Sequence, residues 1–491
     1  MRIRGIFSII VTAILASSCG LLGGGGSEAS STTGWRYNDP EMGGFEVKAL
    51  YEQETGPGLV FVDGGTFTMG RVQDDVMYNW NNIPRRVSVS SFYMDETEVA
   101  NVDYREYLHW LRRVYLDYPE VYRNALPDTT VWRSPLGYNE PYVETYFRHP
   151  AFNDYPVVGV SWLQANDYCN WRTDRVNEMI LIREGILEWD PNQINENNFN
   201  TDAYLAGQYD GLVRQNLQDI ATGGERRVQF EDGLLLPKYR LPTEAEWEFA
   251  ALGLIGNTYE ERIYGRRIYP WDGHHTRNDS RRDIGKMRAN FVRGRGDYMG
   301  VAGFQSEDSE ITAPVRSYWP NDYGLYNMAG NVNEWVQDVY RPMSFFDVDE
   351  FRPFRGNVFT KLVTDDEGNI AQKDELGRLQ REPISEEDAF GRRNYSQADY
   401  INYRDGDRMS SLAFDAEDDG TGRALMYAQD EDDFTSLIND EVRVYKGGSW
   451  RDRAFWLSPG ERRFLHQEEA RDDLGFRCAM NRVGGSASRR R

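Results

Sequence analysis

Short apolar runs separated by long polar stretches set the first expectations for this chain. Ile6 to Ala16 is apolar except for Ser8 and Thr12, and Arg2 and Arg4 precede it. A bilayer core of about 30 Å takes roughly 20 residues to cross, so this run matches the core of a secretory signal and is too short to span. From Gly58 to Gly70, GLVFVDGGTFTMG reads as a strand, a Gly-Gly turn at 64–65 and a second strand. Tyr104, Tyr107, Leu108, Leu111, Val114 and Tyr115 recur at helical spacing and predict an amphipathic helix with an aromatic face, a core stripe first and a partner groove second. Ser161 with Gln164, and Thr243 with Glu246, are capping-box pairs in which each side chain satisfies a backbone amide of the other. The first helix would turn Trp162, Ala165, Tyr168 and Cys169 to one side. The second would turn Trp247, Ala250 and Ala251 inward and end near Gly253.

Two stretches break this pattern. Residues 183–236 are rich in Asn, Asp and Gly and carry weak periodicity. Residues 341–440 hold acidic clusters at Asp365–Glu367, Glu386–Asp388, Glu417–Asp419 and Asp430–Asp433. Such blocks are usually solvated surface, although Phe390, Tyr395, Tyr400, Tyr403 and Phe414 between them fit partial packing or a partner surface. Both stretches read as insertions in one domain over 35–482, followed by a basic tail at 483–491 that is expected to be disordered. With 491 residues, 40% hydrophobic and 13% aromatic, the chain can bury a sizeable core. A formal charge of -23 argues against nucleic acid. Three cysteines exclude a disulfide framework or a cluster-type metal site, and the five histidines show no HxxxH or HExxH spacing. His274 and His275 are adjacent, so on a strand they face opposite ways and read as surface residues.

Ala16, Ser17 and Ser18 lead directly to Cys19, which resembles the bacterial lipobox, with Leu15 one place further from the cysteine than is usual. The resemblance implies that residues 1–18 are a lipoprotein signal peptide and that Cys19 is acylated. Residues 19–34, with Gly23 to Gly26 and Ser27 to Thr33, then form a flexible tether of about 20 Å root-mean-square span. The expected location is the outer membrane, lipid-anchored and facing the periplasm.

GGTFTMG (64–70), DETEVANVDY (95–104), PVVGVSW (156–162), YRLPTEAEWEFAA (239–251), YPWDG (269–273), PNDYGLYNMAGNVNEW (320–335), KGGSW (446–450) and GFRCA (475–479) together resemble, in order, the formylglycine-generating-enzyme (sulfatase-modifying factor) family. The resemblance implies an α+β fold: a single irregular domain, distantly related to C-type lectins, with large insertions. Active members oxidise a substrate cysteine with two copper-holding cysteines. Asp452 and Leu457 stand at those two positions. A hard carboxylate and an aliphatic side chain cannot replace two soft thiolates as copper(I) ligands, so the expectation is a non-enzyme without copper. The resemblance places a structural disulfide at Cys169 and Cys478, the alternative being two buried free thiols. It implies a calcium loop with Asn327, Gly330, Val332 and Glu334 as ligands, against the alternative of a glycine-pinned turn. A second calcium site would use Asn290 and the Phe291 carbonyl, with Asp308 as a further acid.

A lipid-anchored member without the thiols resembles, in particular, the GldK/PorK-type lipoproteins of gliding motility and type IX protein secretion. That implies a structural part of the secretion apparatus, self-associating into a periplasmic ring with a soluble GldN/PorN-type partner beneath the outer membrane. Residues 341–440 are the candidate contact region. A divergent enzyme of the same fold and a calcium-dependent adhesin or carbohydrate-binding module are the other two readings.

Overall fold

The computed structural model describes residues 29–48, 52–71, 81–135, 137–271, 273–293, 311–341, 360–365, 367–384 and 441–484, with the backbone of strands Leu412–Phe414 and Arg423–Leu425. Cys19, Asp308, most of 341–440 and the end of the basic tail lie outside the described residues.

Both capping boxes start the helices they predict. Ser161 Oγ accepts from the Gln164 amide at 3.3 Å and Gln164 Oε1 accepts from the Ser161 amide at 2.9 Å, opening the helix Trp162–Arg183. Thr243 and Glu246 repeat the exchange ahead of Glu244–Leu252, and Gly253 closes that helix at φ 56, a left-handed cap that suits glycine. Trp247, Ala250 and Ala251 are fully buried as the spacing requires. The aromatic stripe lies on the helix Asn101–Val114, and its Tyr104, Tyr107, Leu108, Leu111 and Val114 point into the core. Tyr104 stacks on Tyr168 with ring centroids 5.6 Å apart, and Tyr168 meets Phe476 edge-on at 5.4 Å. The stripe is therefore core in this molecule.

Two four-stranded sheets carry these helices. One is antiparallel throughout, in the order Leu59–Val62, Phe92–Asp95, Ala479–Asn481, Tyr239–Arg240. The other runs Arg463–His466, Val442–Lys446, Asn333–Val339, Leu474–Gly475, with only the last pair parallel. Residues 240 and 447 thus share one frame, and 341–440 leaves it between two neighbouring strands. The two strands expected from 58–70 both form, but they do not pair with each other. Leu59–Val62 joins Phe92–Asp95, whereas Gly65–Met69 pairs with Arg85–Val89. Gly64 lets the chain pass close over 89–91 between the two strands, where a Cβ would sit 2.3 Å from the Val89 carbonyl.

The 183–236 stretch is not bare surface. Leu181, Ile186, Leu187, Phe199, Tyr204, Tyr209, Val228 and Leu235 pack into a small apolar cluster of their own. The described part of the second insertion docks on it: Asn198 Nδ2 donates to the Leu376 carbonyl at 2.8 Å, and Gln208 Nε2 donates to the Ala371 carbonyl at 3.0 Å. Among the described residues, no helix is long and apolar enough to cross a membrane.

Candidate functional site

Strand Val442–Lys446 ends in Gly447-Gly448-Ser449-Trp450, and both glycines are needed. At φ 103 and 71 they occupy backbone space that L side chains rarely enter. A Cβ on Gly448 would lie 2.8 Å from the Trp456 carbonyl, so the turn closes tightly on the 3-10 helix Ala454–Leu457. This turn presents positions 452 and 457 to different surroundings.

Asp452 is held by a guanidinium. Arg463 donates Nη1 to Oδ1 at 2.8 Å and Nη2 to Oδ2 at 2.6 Å, a bidentate pair. Ser449 Oγ reaches Asp452 Oδ2 at 2.7 Å and Asp473 Oδ2 at 3.0 Å, so its single proton is shared between two carboxylates. Asn333 Nδ2 touches Asp452 Oδ2 at 3.4 Å and Asp473 Oδ2 at 3.2 Å. Burial alone would raise the Asp452 carboxyl, but the Arg463 pair together with Ser449 and Asn333 brings it below the usual carboxylate range. Arg463 is itself roofed by Tyr445 and Trp456, with ring centroids 5.0 and 4.6 Å from the guanidinium carbon. Leu457 is 0% exposed and packs among Tyr269, Ala289, Phe291 and Ala329. One position is a charge clamp and the other is dry hydrocarbon. Neither offers a soft ligand, and copper(I) does not fit this pair of side chains.

The Asn327–Glu334 loop has its expected turn geometry: Asn327, Gly330 and Asn331 have φ of 53, 78 and 67, and a Cβ on Gly330 would lie 2.5 Å from the Asn290 carbonyl. Its polar groups, however, are matched to protein partners. Glu334 accepts from Arg477 at 2.6 Å on each oxygen and from Trp247 Nε1 at 2.7 Å, all three groups being fully buried. Asn327 Nδ2 donates to Glu98 at 3.0 Å and to the Val315 carbonyl at 3.1 Å. A cation on Glu334 would have to displace a buried guanidinium, so the arrangement does not fit calcium at Asn327, Gly330, Val332 and Glu334. At the second expected site, Asn290 Nδ2 donates to the Ile311 carbonyl at 2.8 Å, and the Phe291 side chain, as distinct from the carbonyl that is the expected ligand, lies in the apolar cluster with Leu457. Among the described residues, no group of three or more His, Cys, Asp or Glu side chains is placed to hold a metal.

Glu98 is the site residue that spacing alone does not reveal. It is 1% exposed, with Asn327 and Asn331 donating to its two oxygens, and burial pushes its carboxyl up to about 8 despite the Arg477 charge. Glu98 lies in DETEVANVDY and Arg477 in GFRCA, so the motifs carry them, but only the fold shows that the two segments meet at one buried charge network.

Cys169 and Cys478, 309 positions apart, meet in the core with sulfurs 3.3 Å apart. A closed bridge measures about 2.05 Å, so they are described as two buried thiols in contact. Burial, followed by the neighbouring Cys169 thiol, pushes the Cys478 thiol well above the usual range. His274 and His275 lie in an irregular, exposed segment, and Trp271 Nε1 caps the His275 carbonyl at 2.8 Å.

Residues 45–395 match the model of the sulfatase-modifying factor enzyme 1-like domain. The chain belongs to this family. It is 26% identical over 308 residues to the formylglycine-generating enzyme of Mus musculus, covering 57% of this chain and 58% of that protein. It thus spans under two thirds of that relative. It is also 25% identical over 311 residues to the inactive C-alpha-formylglycine-generating enzyme 2 of Mus musculus, covering 58% of this chain and 70% of the relative. Among solved structures, PvdO from Pseudomonas aeruginosa covers 86% of this chain and 93% of its own, with 15% identity and a TM-score of 0.41. The family therefore includes both enzymes and members described as inactive.

Proposed function

We propose that this family member is a non-catalytic structural lipoprotein, anchored through Cys19 to the periplasmic face of the outer membrane. In this reading it builds a ring of a type IX secretion or gliding apparatus with a soluble GldN/PorN-type partner. The observation that carries the non-catalytic part is the clamp at 452: where the family's first thiol belongs, Arg463 neutralises a carboxylate, and the second position is sealed in hydrocarbon. A relative of similar identity named as inactive supports this reading. The lipobox-like run before Cys19 supports the anchor, and a wide frame with docked insertions supplies surface for repeated contacts.

The test pairs an activity with an assembly measurement. Purified protein incubated with copper and a cysteine peptide of the sulfatase type should yield no formylglycine by mass spectrometry. Crosslinking in the outer-membrane fraction should give oligomers that contain a second periplasmic protein. Turnover in the first experiment, or only monomer in the second, removes the corresponding half of the proposal.

A further inference from the structure

A cavity of about 230 Å³ opens on the side of the molecule where the two insertions meet the frame. Its walls come from helices Asn101–Val114 and Trp162–Arg183, from the 198–202 segment of the first insertion, and from Arg378 to Arg381 of the second. It shares no residue with the Asp452 cluster or the Asn327–Glu334 loop. The roof is fastened: Tyr118 donates to Glu375 at 2.7 Å, and a Cβ on Gly377 would lie 2.9 Å from the Glu196 carbonyl. Residues 198–202 and 378–381, from the two stretches read above as insertions, complete it.

The lining has a definite chemistry. Four aromatic residues, Tyr107, Trp110, Tyr115 and Trp171, contribute to the walls. Around them stand three carboxylates (Asp167, Asp174, Asp202) and three cations (Lys238, Arg378, Arg381), so the lining has no net charge. Several of these groups are already paired: Lys238 to Asp202 at 2.6 Å, and Asp174 to Asn200 at 3.0 Å and to the Thr201 amide at 2.8 Å. Asp167 and Asn170 have no hydrogen-bond partner among the described residues, and the indole N–H groups of Trp110 and Trp171 lack acceptors. The exposed Asp167 and Asn170 thus keep hydrogen-bonding capacity that the protein itself does not use.

Aromatic faces beside planar, unpaired carboxylate and amide groups suit a ligand that is apolar on its ring faces and hydroxylated at its edges. Charge balance disfavours phosphates and polycations. The volume is below the roughly 300–1,000 Å³ of drug-sized pockets, which limits the occupant to a small unit. We propose that this cavity binds a single neutral sugar ring, with Asp167 and Asn170 accepting from and donating to its hydroxyls and the tryptophans forming its apolar walls.

The experiment uses the full chain, titrated with glucose, galactose and N-acetylglucosamine by calorimetry and tryptophan fluorescence, with the tripeptide Ala-Lys-Ala as a competing probe. Saturable binding of at least one sugar at about 1 mM or tighter is the expected result. Asp167→Asn and Asn170→Ala, both at exposed positions, should each weaken it about tenfold while leaving the melting temperature unchanged. Three outcomes overturn the proposal: no saturable sugar binding, binding indifferent to both substitutions, or saturation by the tripeptide alone.

Discussion

Positions 452 and 457 are five residues apart on one turn, yet they solve opposite problems. Asp452 keeps a charge next to the core and is stabilised only because Arg463, Ser449 and Asn333 converge on it. Leu457 has no polar neighbour to satisfy and is stabilised by displacing water from Tyr269, Ala289, Phe291 and Ala329. One turn thus carries two independent structural devices, a charge clamp at 452 and an apolar plug at 457. Each is settled by its own physics, which is why restoring either residue alone would not rebuild a joint site.

The strongest way to break this contrast is at the apolar end. Leu457→Ala removes a fully buried side chain from a packed cluster and should cost about 2–5 kcal/mol in urea unfolding, the spread depending on how far the neighbours collapse. A loss under about 1 kcal/mol would mean that the cluster does not depend on this residue, and the contrast would fail on that side.

At the polar end the comparison sharpens with a pair of substitutions. Arg463→Met leaves Asp452 without its guanidinium in a site where Asp473 is close by. An uncompensated buried charge costs about 3–5 kcal/mol; with side-chain exposures of 17% and 12% for the two partners, about 2–3 kcal/mol is expected here. Asp452→Asn added to Arg463→Met should recover part of that loss, because the orphaned charge goes with its partner. If the double variant is no better than the single one, the guanidinium acts through its packing under Tyr445 and Trp456 and not through the ion pair.

Much of this frame was legible because its signals are local. Ser161 with Gln164 and Thr243 with Glu246 each interact across one helical turn, so three residues of spacing are enough to read them. The stripe from Tyr104 to Val114 is a single helix face. What was not legible depends on register between distant strands. Arg463 reaches Asp452 because its strand pairs with Val442–Lys446, setting Arg463 opposite Tyr445. The Arg477–Glu334–Trp247 contact needs three segments to meet, and it changes what the Asn327–Glu334 loop can hold. Motif spacing gave the loop its shape but not the partner already seated on its carboxylate. The separate cluster beneath 183–236 was hidden for a related reason: its apolar residues are scattered among Asn and Asp, so no period announces them.

The smallest expected effect is a dependence on pH. Asp452 has its folded-state carboxyl below the unfolded value of about 3.9. A lowered carboxyl contributes stability that is fully present above the unfolded value and is lost as pH falls through the folded one. Wild-type protein should therefore lose a share of its stability, on the order of 1 kcal/mol for a charge-assisted contact of this kind, as pH drops below about 4. Asp452→Asn should show a shallower acid limb in denaturation curves while keeping the same slope near neutrality. Leu457→Ala, which carries no titrating group, should lower the whole curve without changing its acid slope. Parallel acid limbs in wild type and Asp452→Asn would show that the clamp does not couple to protonation, and the charged half of the contrast would then rest on geometry alone.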